Sequence, residues 1–232
     1  MTAGSLRVAV ARVSEAPADI APPAWLCESE LARWPRLSAD ARTAFVASRA
    51  LVRGLLQAST GVPFEAWQVC ADAGVAPLAT APGYAAAAIH VSLSHRLGWV
   101  AAAVGETAVG IDVEVDRAAR SDPDERASLM LARDELAGWR RVPAPAREAA
   151  LLARWTAKEA WFKASPTQSA PWDFRLVRAS ACAAADANVR AWRAAPVHVA
   201  LCCADARALA AARCEGLPPA GDEAFWRVGA AL

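Results

Sequence analysis

Lysine is almost absent from this chain of 232 residues. Of its 25 basic side chains only two, Lys158 and Lys163, are lysines, and arginine occupies every other basic position. A lysine ammonium is a compact point charge that can titrate, whereas a guanidinium stays protonated and suits planar, two-pronged contacts. Because both lysines lie in one short segment, RWTAKEAWFKA at residues 154–164, we expect that segment to take part in chemistry. The alternative is a solvated helix face on which the lysines are accidental.

Other scarce features exclude whole classes of protein. The net charge is +1, so the chain as a whole has no electrostatic attraction to nucleic acid. No apolar run approaches the ~20 residues that a membrane span needs, and the N-terminal segment has no hydrophobic run of secretory length. The six cysteines form no C-x-x-C pair and have no histidine cluster beside them, which argues against zinc. We therefore expect a soluble, cytoplasmic protein with reduced thiols.

The hydrophobic pattern predicts alternating strands and helices. Residues 6–13 alternate like a strand, and residues 40–58 carry the apolar stripe of a helix. Residues 89–116 contain three short apolar runs separated by turns, which predicts an antiparallel three-stranded meander. Further expectations are helix within 117–150 and at 154–164, strands within 172–204, and a partly helical or loosely held tail at 205–232.

This order of elements indicates an α+β fold made of two related halves. Each half would contain a small antiparallel sheet packed with helices. The turn after the second predicted strand of the meander is the natural boundary, which divides the chain into residues 1–106 and 107–232.

The segment GIDVEV places carboxylates at every second position of a predicted strand. Asp112, Glu114 and Asp116 would share one face, with successive side chains about 7 Å apart. Two carboxylates at that spacing can share a hard cation such as Mg²⁺, which favours oxygen ligands and keeps waters for substrate phosphates. The alternative is an exposed strand face with no ligand.

The predicted meander brings polar groups of its first strand to this carboxylate face. In an up-down-up arrangement the first and third strands end at the same edge, so Ser94 and His95 should lie near Asp112 and Glu114. A hydroxyl and an imidazole beside a cation site are suitable phosphate partners. The other two histidines, at positions 90 and 198, lack such neighbours and are expected to be structural.

The lysine-containing helix offers a third carboxylate. Glu159 and Lys163 are one turn apart, so Glu159 could complete a metal site while Lys163 neutralises or protonates a departing phosphate. Lys158 lies about 100° further around the helix and could reach the same cleft from the side. A plain ion pair between Glu159 and Lys163 is the alternative interpretation.

Three motifs in order resemble one enzyme family. They are S-H at residues 94–95, G-I-D-V-E at 110–114 and W-T-A-K-E-A-W-F-K at 155–163. Together they resemble the signature of Sfp-type 4′-phosphopantetheinyl transferases, over roughly residues 25–205. The resemblance implies half-domains related by a pseudo-twofold axis, with a coenzyme A cleft between them and Mg²⁺ on the pyrophosphate. It also implies transfer of the phosphopantetheine arm to a serine of an acyl or peptidyl carrier protein, with release of 3′,5′-ADP. Because one chain supplies both halves, we expect a monomer.

The resemblance assigns roles to three sets of residues by their position in the motifs. The implied metal ligands are Asp112, Glu114 and Glu159. The implied catalytic residues are Glu159, Lys163 and His95. The implied coenzyme A contacts are Arg42, Arg49, Ser94, His95 and Lys163.

The chain also departs from the family pattern. Where many relatives have G-K-P, with a lysine for the 3′-phosphate of coenzyme A, this chain has Val75-Ala76-Pro77. Arg49 and Arg42 are therefore expected to hold that phosphate instead, although a solvated helix flank would explain them equally. The loop after the lysine helix reads ASPTQSAPW rather than being rich in glycine. Two other functions stay open: a non-catalytic relative that binds carrier proteins, and another Mg²⁺-dependent phosphoryl-transfer or hydrolytic enzyme.

Overall fold

The structure, a computed structural model, describes residues 6–13, 20–70, 76–85, 88–116, 122–165, 173–217 and 221–230. Its helices are α1 (Glu28–Leu31), α2 (Ala39–Thr60), α3 (Pro123–Met130), α4 (Arg133–Arg140), α5 (Arg147–Ala164) and α6 (Ala206–Ala211). Its strands are β1 (Arg7–Arg12), β2 (Gln68–Cys70), β3 (Leu78–Thr80), β4 (His90–Arg96), β5 (Trp99–Gly105), β6 (Val109–Val115), β7 (Val177–Ala181), β8 (Val189–Ala194), β9 (Val197–Cys203), β10 (Cys214–Glu215) and β11 (Asp222–Ala230). Short 3-10 turns lie at Trp34–Arg36, Phe64–Ala66, Ala144–Ala146, Phe174–Leu176 and Ala184–Asp186.

Two sheets with similar strand orders form the framework. The first sheet has the order β10-β1-β5-β4-β3-β2, and the second has the order β6-β9-β8-β11-β7. Apart from the parallel pair β1–β10, neighbouring strands are antiparallel. The expected α+β class with two antiparallel sheets and packed helices is confirmed.

The two halves repeat one topology. Each half begins with a strand (β1 or β6) and continues through its longest helix (α2 or α5) to an edge strand (β2 or β7). Each then forms a hairpin (β4–β5 or β8–β9), and the last strand of the hairpin pairs with the first strand of that half. The strand between hairpin and edge differs in origin: it is β3 in the first sheet and the C-terminal β11 in the second. The sheet changes between β5 and β6, while β10 returns to the first sheet. The division into 1–106 and 107–232 stays a prediction.

Apolar side chains fill the spaces between these layers. One cluster joins the two sheets through residues such as Val10, Ala101, Ile111 and Val199. A second packs α2 against the other face of the first sheet, and a third packs α5 against the other face of the second sheet. The helix predicted at 40–58 is thus confirmed as α2, whose apolar stripe is buried as its periodicity indicated.

One sequence-based expectation is wrong, and another is right only in part. The third strand of the predicted meander, β6, does not pair with β5 but with β9 of the second sheet, so only β4 and β5 form a hairpin. The tail at 205–232 is partly helical, as expected, because it contains α6 (Ala206–Ala211), but it is not loosely held, because its residues 222–230 form β11 between β8 and β7. The error in the meander has a physical cause: local pattern identifies a strand, but strand pairing depends on contacts between residues far apart in the chain.

Candidate active site

A close approach of α5 to β6 brings the helix and strand motifs together. Gly110 pairs with Cys202 in β9, and Asp112 pairs with Ala200, so these positions share the sheet face that α5 covers. A Cβ atom at Gly110 would lie 1.9 Å from the carbonyl oxygen of Ala160 and 2.6 Å from the backbone nitrogen of Ala164. Only glycine therefore lets the helix lie this close to the strand.

Serine side chains join the two sheets at the site. The hydroxyl of Ser92 accepts a hydrogen bond from the Ile111 amide (3.0 Å), and that of Ser94 accepts one from the Val113 amide (3.3 Å). These contacts hold β4 along the edge of β6 without a strand ladder between them. The predicted proximity of Ser94 to the carboxylate strand is thus observed, although the meander from which it was inferred is not.

Asp112 is the centre of a buried polar cluster. Its Oδ1 atom accepts hydrogen bonds from the Ser94 hydroxyl at 2.8 Å and from Lys163 Nζ at 2.7 Å, and Lys163 also donates to Ser94 at 3.1 Å. Asp112 is only 5% exposed, which contradicts the exposed-face interpretation. Its Oδ2 atom is buried and has no hydrogen-bond partner, and such an oxygen is unfavourable unless a cation or donor satisfies it.

Glu159 lies beside this cluster with a strongly perturbed acidity. Burial, together with the negative charges of Asp112 and Glu114, raises the pKa of Glu159 to about 7, and the nearby Lys163 opposes the shift. The ion pair of Lys163 is with Asp112, so the plain helix pair between Glu159 and Lys163 does not describe the site. A carboxyl group that titrates near neutrality can accept a proton during a reaction at physiological pH.

Glu114 has a partner that sequence reasoning missed. Arg96 Nε lies 3.0 Å from Glu114 Oε2, and the Glu114 side chain is largely covered, whereas that of Arg96 is 36% exposed. The signal was present in the strand period, since Ser92, Ser94 and Arg96 occupy alternate positions of β4 and therefore share one face. Arg96 adds a guanidinium to the carboxylate edge of the site.

His95 lies on the opposite face of β4 from Ser94 and Arg96, and three positively charged side chains lie near it. The residue has considerable solvent-accessible surface, but neighbouring atoms still remove part of the water around its ring. This partial desolvation, followed by the charges of Lys163, Arg49 and Arg96, lowers the pKa of His95. Three cations from β4, α2 and α5 thus act on one imidazole. The three cations and the imidazole together are suited to binding a multiply charged anion such as a phosphate.

Arg49 is held by a buried network rather than lying on a solvated helix flank. Glu30 of α1 forms a two-pronged ion pair with Arg53, and its Oε1 lies 3.0 Å from Arg49 Nε without an aligned hydrogen bond. One carboxylate therefore faces two guanidinium groups, which leaves excess positive charge in the cluster. Burial and the neighbouring arginines lower the pKa of Arg49 to about 10, against the opposing effect of Glu30. Arg42, also predicted as an anion contact, lies over the ring of Trp34 at 5.4 Å.

Lys158 does not reach the cleft, contrary to expectation. It is fully buried and donates to Glu135 Oε2 at 2.6 Å and to the carbonyl oxygens of Met130 (2.9 Å) and Phe174 (3.1 Å). The rotation of about 100° between neighbouring helix positions directs it away from the site of Glu159. Two loops depart from the family pattern. In the first, Ala76 lies just before β3, and Val75 lies outside the described residues. In the second, which follows α5, residues 166–172 lie outside the described residues.

The carboxylates are suitable ligands for a divalent cation, although they are not arranged as a closed cage. Within the described ranges, no three His, Cys, Asp or Glu side chains lie close enough together to hold a metal ion. The donor set nevertheless fits Mg²⁺: Asp112 Oδ2 is buried and has no hydrogen-bond partner, and Glu159, whose pKa is raised first by burial and then by the charges of Asp112 and Glu114, lies close enough to feel both carboxylates. In this arrangement Lys163 and Arg96 balance the charge of Asp112 and Glu114.

Comparison with known proteins agrees with the motif-based recognition. Residues 108–212 match the family model described as the 4′-phosphopantetheinyl transferase superfamily. This segment contains β6, α5 and the three proposed metal ligands. The match confirms the recognition at the level of the superfamily and supports transferase activity in general, whereas the Sfp-type subgroup stays a prediction. No curated protein sequence matches the chain significantly. None of the helices in the described part is long and apolar enough to span a membrane.

Proposed function

We propose that this chain, whose residues 108–212 match the 4′-phosphopantetheinyl transferase superfamily, transfers the phosphopantetheine arm of coenzyme A to a carrier-protein serine. The acceptor would be an acyl or peptidyl carrier protein, and the second product would be 3′,5′-ADP. The observation that carries the proposal is the meeting of three separate motifs at Asp112: Ser94 from β4, the aspartate itself from β6, and Lys163 from α5.

Glu159 is the proposed proton acceptor. The serine oxygen of the carrier protein would attack the phosphorus that bears the pantetheine arm, and the bond from that phosphorus to the bridging oxygen would break. The serine proton would go to the Glu159 carboxylate, directly or through a water molecule. Burial and the neighbouring carboxylates raise the pKa of Glu159 in the metal-free protein, so a Glu159 oxygen that does not bind Mg²⁺ would be basic enough to accept the proton.

Lys163 is the proposed partner of the leaving group. Its ammonium has three donors and already contacts Asp112 and Ser94 on one side. The remaining donor could stabilise or protonate the bridging oxygen as 3′,5′-ADP departs. An arginine would present a planar fork instead of a compact donor, which gives a reason for a lysine here in a chain that otherwise uses arginine.

Asp112, Glu114 and Glu159 would hold the Mg²⁺ that the superfamily resemblance implies. When bound, that ion would neutralise pyrophosphate charge and orient its oxygens. Ser94, which contacts Asp112 and Lys163, would contact the phosphates of coenzyme A together with His95 and Arg49. Of these, Arg49 would replace the missing loop lysine at the 3′-phosphate. The buried excess charge around Arg49 supports this assignment, because it needs a counter-anion.

The test is incubation of an apo carrier protein with coenzyme A, Mg²⁺ and this chain, followed by mass spectrometry of the carrier. We expect the mass to rise by one phosphopantetheine group and 3′,5′-ADP to appear in equal amount. If calorimetry with Mg²⁺ present instead shows no coenzyme A binding, the non-catalytic carrier-binding function is favoured. Hydrolysis of coenzyme A without a carrier would favour the other Mg²⁺-dependent enzyme.

The proposal includes a cytoplasmic location and a monomeric state. Coenzyme A and carrier proteins would both be available there, and the residues assigned to catalysis come from one chain. A light-scattering mass well above the 24.3 kDa of the chain would contradict the monomer.

A further inference from the structure

Lys158 and Glu135 form a buried junction that the proposed reaction does not use directly. Both side chains are almost completely covered, and Lys158 Nζ has three acceptors: Glu135 Oε2, the Met130 carbonyl at the end of α3, and the Phe174 carbonyl. The other contacts of Glu135 are with the backbone amides of Ala132, before α4, and Ala179, in β7, each at 2.8 Å. One ion pair therefore connects five segments of the second half.

The three acceptors explain why this position holds a lysine. An ammonium has three donors that can point at three converging oxygens, whereas a guanidinium is larger, planar and has five donors in a fixed fork. A buried arginine here would have to displace backbone oxygens or leave donors unsatisfied. In a chain where arginine otherwise replaces lysine, retention of Lys158 therefore follows from the shape of its surroundings.

The junction contacts a different face of α5 from the face that carries the reactive groups. Trp155, Lys158 and Phe162 follow helical spacing, and all three contact Phe174: the two rings at 4.8 and 5.8 Å, and Lys158 through the carbonyl. Glu159 and Lys163 lie on the neighbouring face, where Lys163 contacts Asp112. The helix is thus fixed on two faces, which determines its rotation about its own axis.

We propose that Lys158 is a positioning residue: its junction with Glu135, Met130 and Phe174 sets the rotation of α5 that places Glu159 and Lys163 beside Asp112. The role in turnover rests on the proposed transferase function, whereas the structural junction does not. Loss of the junction should let α3, α4 and the segment at 173–181 loosen together, and α5 should turn by a small amount. A displacement of about 1 Å at reacting groups can lower a rate on the order of a hundredfold.

The experiment compares Lys158→Met, Lys158→Arg and Glu135→Asp with wild-type protein. Glu135→Asp keeps the charges and only shortens the reach, so it serves as the milder variant if the others fold poorly. Arg133→Lys, an exposed exchange on α4 beside the junction, is the matched control for an Arg–Lys change. All proteins are studied at a temperature where circular dichroism shows them folded, by hydrogen-exchange mass spectrometry and by steady-state transfer kinetics.

We expect faster exchange in residues 123–140 and 173–181 of all three junction variants, and little change in α2. In the same variants kcat should fall at least tenfold, while KM for coenzyme A changes less than threefold. Lys158→Arg should be as impaired in kcat as Lys158→Met, although it keeps the positive charge. Arg133→Lys should match wild type in both measurements. Unchanged exchange in those segments would overturn the junction, and a folded Lys158→Met protein with kcat within threefold of wild type would overturn the positioning role. If wild-type protein transfers nothing, the proposed function fails, while the exchange result still decides whether the junction exists.

Discussion

Replacement of Gly110 by alanine should separate the two motifs that form the site. The added Cβ would lie 1.9 Å from the Ala160 carbonyl oxygen and 2.6 Å from the Ala164 nitrogen, both of them helix backbone atoms. Because ordinary contacts begin near 3.4 Å, α5 would have to retreat from β6 by about 1.5 Å, or the strand would have to bend. A side chain could rotate away from such a clash, but a helix backbone cannot.

The magnitude follows from this displacement. Overpacking of a core typically costs about 1–3 kcal/mol, which for a chain of this size lowers the melting temperature by about 2–12 °C. The same retreat moves Glu159 and Lys163 away from Asp112, so transfer activity should fall on the order of a hundredfold in protein that is still folded. Stability is measured by thermal and urea unfolding, and activity by formation of 3′,5′-ADP.

Gly54→Ala is the matched control for this substitution. Gly54 lies on the exposed side of α2, and a Cβ there would meet no atom within 4 Å. Alanine should therefore stabilise the helix by about 0.5–1 kcal/mol, because it removes the conformational freedom of glycine from the unfolded chain. If Gly110→Ala were as stable and active as Gly54→Ala, the close approach of α5 to β6 would not be what assembles the site.

Three further predictions concern charge at the site. Because a proton and Mg²⁺ compete for the Glu159 carboxylate, whose pKa is raised to about 7, Mg²⁺ affinity measured by calorimetry should fall up to about tenfold per pH unit below pH 7, and Glu159→Gln should flatten this dependence. Lys163→Ala leaves Asp112 buried without its cation, so Mg²⁺ should raise the melting temperature of this variant more than that of wild type; equal shifts would argue against Asp112 as a ligand. Arg49→Ala should weaken coenzyme A more than 3′-dephospho-coenzyme A, by about 1–3 kcal/mol in the difference, whereas equal weakening would make Arg49 structural.

The sequence predicted the local parts of the site better than their arrangement. The strand of Asp112 and the helix of Glu159 and Lys163 follow from periodicity, because side chains that alternate or recur every three to four residues are fixed by the backbone itself. The neighbourhood of Ser94 and Asp112 was also expected, but for the wrong reason. A serine hydroxyl joins β4 to an edge of the other sheet, and no short-range pattern distinguishes that contact from a hairpin.

Partners that lie far apart in the sequence could not be predicted. Glu30 supports Arg49 from α1, and Glu135 accepts from Lys158 across α4 and α5. Each pair combines a charged residue that the sequence singled out with a carboxylate that carries no motif. These carboxylates matter because they neutralise buried cations, and an unpaired charge in the interior would be very unfavourable. Whether a given position is buried depends on the whole fold and not on the local sequence. The structural reason for Gly110 is likewise visible only once α5 lies on β6.

The central claim, phosphopantetheine transfer at the cluster of Asp112, Glu159 and Lys163, is tested most directly by comparing wild type with Glu159→Gln in one reaction. Apo carrier protein, coenzyme A and Mg²⁺ are supplied to both, the carrier is weighed by mass spectrometry, and coenzyme A affinity is measured separately by calorimetry. We predict that wild type adds one phosphopantetheine group to the carrier, and that Glu159→Gln retains much of the coenzyme A affinity but turns over at least about a hundredfold more slowly. Wild-type protein that leaves the carrier unmodified, or a Glu159→Gln variant as fast as wild type, would contradict the account.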